Sequence, residues 1–269
     1  MNRFFYPILT IILIFLSSCN LNVDGIKSFF NSRKEVGKKT EIVKKEVTTP
    51  KIKNGEVKYY YKSGKVKSIV NFKDNKKVGV SHTFYKTGEK QYEIPYVDGM
   101  KDGKVIWFYR SGKVYRTTEF RRGKKTGYQR KYYENGKLKS ENFYKNSLLS
   151  TGLREISNTG KVKAVPHIVI QKINQLKTSQ TYIVRLKLSN LSKKVTFYNG
   201  ELIDGKFFPE NGRGFMEIPS KKGVADIKFH INKGFQLNNT LHIIAVETTY
   251  YKNKRLLSKN IPISVRNPN

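Results

Sequence analysis

The sequence predicts an all-β chain, an array of stacked β-hairpins followed by a β-sandwich. Three observations carry this. Glycines and adjacent pairs of aromatic residues recur every 24 residues across residues 54–163, and a fixed period in the 20–50 range marks a repeat array. Tetrads suited to tight turns, such as Lys62-Ser63-Gly64-Lys65, recur at one phase of that period. From residue 164 the period is lost, and short runs of alternating apolar and polar residues replace it, as in half-buried strands.

Composition narrows the field first. The 269 residues include 53 Lys+Arg against 20 Asp+Glu, for a formal charge of +33, with four His and a single Cys. One cysteine forms no internal disulfide, no Cys₄ zinc site and no iron–sulfur cluster. Hydrophobic residues at 38% and aromatics at 13% exclude a disordered basic tail.

The chain opens Met1-Asn2-Arg3, runs apolar from Phe4 to Leu16, and ends that run Leu16-Ser17-Ser18-Cys19. A short basic start, an apolar stretch and small residues before a break describe a secretory signal peptide over 1–18. The apolar stretch falls short of the roughly 20 residues of a spanning helix; an uncleaved anchor is the other reading. Leu-Ser-Ser-Cys resembles the bacterial lipobox. That resemblance implies cleavage between Ser18 and Cys19 and lipidation of Cys19 by a diacylglycerol and an N-acyl chain. At ~0.8 kcal/mol per buried CH₂, such chains anchor a protein stably. The expected location is therefore extracytoplasmic, on a bacterial cell membrane or outer membrane. Residues 19–53, with nine Lys/Arg, four Asp/Glu and few large apolar residues after Cys19, read as a flexible basic linker.

The repeats follow at 54–163, in about five copies. Gly64, Gly88, Gly112, Gly136 and Gly160 are the turn glycines, where only glycine takes a positive φ freely. Before the turns lie paired aromatics: Tyr60-Tyr61, Phe84-Tyr85, Phe108-Tyr109 and Tyr132-Tyr133. After the first turn, Val66, Val70 and Phe72 alternate with Lys67, Ile69 and Asn71. A lone 24-residue hairpin cannot bury its apolar face, so stability is expected between copies. These units resemble the bacterial variant of the MORN repeat. Tyr132-Tyr133-Glu134-Asn135-Gly136-Lys137-Leu138-Lys139 and Asp98-Gly99-Met100-Lys101-Asp102-Gly103 carry the likeness. The Tyr-x-Gly-x-Trp core of the eukaryotic form is missing, so that form's lipid binding is not implied. The variant is often labelled an antitoxin of toxin–antitoxin pairs.

Strand alternation places neighbours such as Tyr60 and Tyr61 on opposite faces. The rings then either stack as core or leave one column exposed as a binding platform. The candidate surface is Tyr61, Tyr85, Tyr109 and Tyr133 with Trp107.

Beyond Pro166, Tyr182, Val184, Leu186 and Leu188 alternate with polar residues, and Ala225, Ile227, Phe229 and Ile231 do the same. Leu241–Val246 is apolar except for His242, as in a strand covered on both sides. With His167–Lys172, Val195–Tyr198, Phe215–Ile218 and Ile261–Val265, about seven strands fill 164–269, which suggests an immunoglobulin-like sandwich.

Charge is spread rather than focused. The repeats hold 26 Lys/Arg against 10 Asp/Glu, the remainder after 163 holds 17 against 6, and Lys outnumbers Arg 41 to 12. Nucleic-acid binders concentrate charge on one element and favour Arg, so nucleic acid is not expected as a partner. No metal spacing links His82, His167, His230 and His242, and no Gly-x-Ser-x-Gly or phosphate-loop motif occurs. Asp98 with Asp102, and Glu89 with Glu93, lie on turns and strand edges without the burial that tunes a carboxylate. The expectation is a non-catalytic, metal-free, lipid-anchored binding or scaffold protein, its only cofactor the acyl chains on Cys19. Its partners are the membrane and a protein or anionic envelope polymer. The alternatives are an immunity or antitoxin-type protein that neutralises a toxin, or an accessory factor for cell-wall or glycan processing.

Overall fold

The computed structural model describes residues 52–268; Ser18, Cys19, the signal-peptide segment and all but the end of the linker lie outside them. The array is built from β1 (Gly55–Tyr60), β2 (Val66–Lys73), β3 (Lys76–Phe84), β4 (Lys90–Val97), β5 (Met100–Lys101), β6 (Gly103–Phe108), β7 (Val114–Arg121), β8 (Lys124–Tyr132) and β9 (Leu138–Lys145). Each copy supplies two long strands, and each strand pairs antiparallel with its sequence neighbour, β5 joining β4 beside β6. One continuous sheet results, with β1 at its edge.

Two kinds of turn alternate along it. At one end, Gly64, Gly88, Gly112 and Gly136 sit at φ between +79° and +117°, and each N–H donates to the carbonyl of the tyrosine three residues back. At the other end, pairs such as Asp74-Asn75, both at positive φ, close the tight hairpins that join one copy to the next. The expected alternation of paired aromatics fails at one point. The register shifts between Tyr59/Tyr60, Thr83/Phe84, Trp107/Phe108 and Lys131/Tyr132. The second ring of each pair follows this bulge and already belongs to the turn: the Tyr61 N–H donates to the Lys65 carbonyl at 2.9 Å.

The fifth copy keeps the turn at Gly160 (φ +90°) but is reduced to β11 (Arg154–Glu155), paired with β9, and a bridge between Ile156 and Val162. β10 (Leu148–Ser150) and β15 (Phe207–Pro209) extend the same sheet past β9. β15 comes from the middle of the C-terminal segment, so that segment contributes to the repeat sheet as well as forming its own layers.

Those layers are β12 (Ile168–Gln175), a helical turn α1 (Leu176–Ser179), β13 (Thr181–Leu188), β14 (Val195–Asn199), β16 (Met216–Ile218), β17 (Ser220–Lys221), β18 (Val224–His230), β19 (Gln236–Thr248) and β20 (Lys254–Arg266). They form two sheets, ordered β12-β13-β18-β17 and β16-β14-β19-β20, the A-B-E-D and C′-C-F-G orders of an immunoglobulin-like sandwich. Eight strands stand where the periodicity marked seven. β19 and β20 outrun their apolar centres because thirteen residue pairs continue their ladder through polar sequence.

The sandwich core holds Val184, Leu186, Leu188, Phe197, Ile243, Ala245, Ile261 and Ile263, all buried. A second cluster joins the sandwich to the array: Tyr144, Leu149 and Phe208 of the repeat sheet pack with Ile244, Val246 and Leu256. β19 therefore buries Ile243 and Ala245 on one side and Ile244 and Val246 on the other, which accounts for its uninterrupted apolar run.

Candidate functional site

Directly opposed residues of an antiparallel sheet share a face, so the pairings define rows across the strands. One row runs Tyr92, Trp107, Arg116, Lys131, Ser140. A second runs Val105, Thr118, Gln129, Asn142. Tyr92 stacks on Trp107 with centroids 5.2 Å apart, and the Arg116 guanidinium lies 4.9 Å from the Trp107 ring.

Two columns with the 24-residue period line the same face. Lys53, Lys77, Lys101 and Lys125 place their ammonium groups 5.5, 5.0, 5.2 and 4.7 Å from the ring centroids of Phe72, Tyr96, Phe120 and Tyr144, and cation–π contacts of this kind contribute ~0.5–1 kcal/mol each at exposed sites. The carbonyls of these lysines also accept from the N–H groups of Asn75, Gly99, Gly123 and Ser147. The lysine column thus staples each hairpin connection by backbone and side chain together.

The tyrosines of the candidate surface do related work at the other end of the strands. The hydroxyls of Tyr61, Tyr85, Tyr109 and Tyr133 donate to the carbonyls of Phe84, Phe108, Tyr132 and Ile156 at 2.6, 2.7, 2.8 and 2.8 Å. Each is a bond from one copy to the next. The rings are half-buried. Trp107 belongs to the same set, its Nε1–H donating to the Tyr85 hydroxyl at 3.1 Å. In the fifth copy the tyrosine position is Ser157, and the ladder stops. Tyr251, at the tip of the β19–β20 hairpin, meets the last rung instead, with 2.7 Å between its hydroxyl and that of Tyr133. Burial and this second hydroxyl push the Tyr133 phenol up to about 12.

The hairpin tip covers the fourth copy. Lys131 is buried beneath it and donates to the carbonyls of Tyr251 and Lys252 at 3.0 and 3.1 Å. Desolvation, then the nearby Arg116 and Lys139 charges, lower its ammonium to about 8. Alongside lies a buried ion cluster. Arg255 bonds Glu155 at 3.0 Å and Glu247 at 2.9 Å. Glu155 also accepts from Thr249 and Asn253, both at 2.6 Å. Sequence reading singled out none of these residues; no local pattern marks a lysine or glutamate whose burial is supplied by a hairpin about 100 positions away.

Before the covered copy the face is open among the described residues. Tyr92, Ile94, Val105, Phe120, Lys101, Arg116, Lys125, Thr118 and Gln129 line a trough of about 270 Å³. Its lining carries three cations and no carboxylate. The opposite face presents mixed charge, such as the Arg130–Glu141 pair at 2.5 Å, and an exposed Tyr128–Phe143 contact.

Three stretches of the chain match the MORN repeat variant, at 53–74, 101–121 and 125–146. The chain carries MORN-like repeats. The matches cover about a quarter of its length and omit the second copy, which nevertheless keeps both ladders through Lys77, Tyr85 and Tyr96. Repeats of this kind are generally binding or scaffold units. No curated protein and no solved structure matches the chain.

The histidines stay apart: His230 lies on β18, and His242, on β19 of the other sheet, has Nδ1 3.1 Å from Asn260 Oδ1 and 3.3 Å from Glu201. Among the described residues no three His, Cys, Asp or Glu side chains gather as a metal site.

Proposed function

We propose that this is a lipid-anchored, non-catalytic binding protein of the bacterial envelope, held by acyl chains on Cys19 and presenting the open face of its MORN-like sheet to a partner. The observation that carries the binding role is the uneven cover of that face. The sandwich hairpin buries the fourth copy, whereas among the described residues none covers the basic and aromatic trough over the third. A merely structural sheet would gain by having its rings covered throughout. The anchor rests on Leu16-Ser17-Ser18-Cys19, with Cys19 the one cysteine of the chain, and the linker of 19–53 supplies reach from the membrane. The test is fractionation with metabolic lipid labelling. Wild type should partition with membranes and take up fatty acid, and Cys19→Ala should lose the label and remain as an uncleaved precursor. Label-free wild type in the soluble fraction would overturn the anchor.

A further inference from the structure

The lysine-over-ring position of the fourth copy is already occupied. Glu210, just after β15, places one carboxylate oxygen 2.7 Å from Lys125 Nζ and the other 2.8 Å from the Tyr144 hydroxyl. The same arrangement recurs at Lys77 over Tyr96 and at Lys101 over Phe120. Among the described residues, neither of those lysines, nor Arg116 between them and the covered end, has an ion-pair partner. The chain therefore displays at one copy the chemistry that the other copies leave open: a carboxylate delivered from beyond the repeats, at the end of β15, bound by a lysine that is held in place by an aromatic ring.

We propose that the open face takes an acidic peptide in the polyproline II conformation, running across the strands, with a carboxylate at every third residue. This deepens the reading of that face as a binding surface and rests on it. The spacing follows from strand geometry. Successive lysines of the column are two strands apart, ~9.5 Å at the usual inter-strand distance. Three residues of polyproline II rise about 9.3 Å and complete one turn, so carboxylates at i and i+3 lie on one side of the peptide and meet successive lysines in register. Arg116 adds a planar donor pair suited to a carboxylate, and Tyr92 with Trp107 offers an apolar wall for the residues between. Delivery of Glu210 by the chain itself favours a peptide over a free anion, because each carboxylate is then held at high local concentration by its neighbours.

The experiment uses the full chain in detergent and a fluorescein-labelled decapeptide, (Glu-Pro-Pro)₃-Glu, whose prolines hold the polyproline II conformation, followed by fluorescence anisotropy. Saturable binding is expected, lost in the peptide with Gln at every Glu and weakened in an isomer with the glutamates clustered at one end. Lys101→Gln and Arg116→Gln should each weaken it about tenfold, the scale of one charge-assisted hydrogen bond. Lys104→Gln, one residue from Val105 and on the opposite face of β6, should leave it unchanged. Glu210→Ala should tighten binding of the peptide by freeing a further site. Equal binding of the clustered isomer, an equal loss in Lys104→Gln, or full competition by phosphatidylglycerol vesicles at matched charge would overturn the proposal, the last outcome making the face a lipid-headgroup site. Membrane fractionation of the same variants separates the two readings: a protein still anchored but indifferent to the peptide refutes this inference and leaves the anchor standing.

Discussion

Lys131 shows how much a single position owes to its surroundings. In sequence it is one of 53 basic residues, and nothing in its repeat phase distinguishes it. In the fold it is 5% exposed, with two carbonyls as partners and like charges nearby, and its ammonium titrates at about 8 instead of 10.5. Between those two values the unfolded chain holds a proton at this site that the folded chain has released, so folding stability rises with pH. Below about 8 both states are charged and the burial cost is present in full. Chemical denaturation from pH 8 upward, stopping short of tyrosine ionisation near 10, should show that rise in wild type and a smaller one in Lys131→Met. An unchanged slope would mean that water reaches the ammonium. The turn glycines are the opposite case. Gly64, Gly88 and their successors are legible because positive φ is a local demand that glycine meets without steric cost.

At the scale of the hairpin, the repeat is joined to its neighbour by three links: the strand ladder, the lysine staple and the tyrosine hydroxyl. The 24-residue period of lysine, tyrosine and ring columns is visible in sequence, but the function of each column is not, since a bulge before the second aromatic turns it from the sheet face to the end of the strands. Tyr109→Phe removes one inter-copy hydrogen bond while keeping the edge-on contact of the ring with Tyr115, 5.1 Å between centroids. It should cost ~1 kcal/mol, or roughly 2–4 °C in melting temperature for a unit of this size. Tyr109→Ala loses the ring contact too and should cost more. If Tyr109→Phe melts with wild type while Tyr109→Ala does not, packing alone holds the copies together.

Across the whole molecule, array and sandwich are continuous through β15, the cluster of Tyr144, Phe208 and Ile244, and the ion cluster of Arg255, Glu155 and Glu247. Arg255 and both glutamates are almost fully buried, with side chains 3–6% exposed. Removing one member of such a cluster leaves an uncompensated charge and costs roughly 3–5 kcal/mol. Calorimetry should give one cooperative transition for the wild-type array and sandwich. Glu155→Ala should lower it and separate the two parts, as the hairpin tip loses its hold on Lys131 and Tyr133. Two transitions already present in wild type would show that the junction is too weak to couple them.

Periodicity by itself determined the hairpin array, its phase, its turns and the alternating strands of the sandwich, because each is set by contacts within a few residues or by a pattern that repeats. It also marked β19 as buried on both sides from composition alone. What only the tertiary structure decided is which face of the array is closed, where, and by what. The tip at Thr249–Asn253 has no periodic signature, and its partners Lys131, Ser140 and Glu155 lie some 100 residues away. Such contacts form only when two separately built layers meet, and their residues are selected by that geometry, which no local preference encodes. Among the described residues, the same meeting leaves the neighbouring copy open.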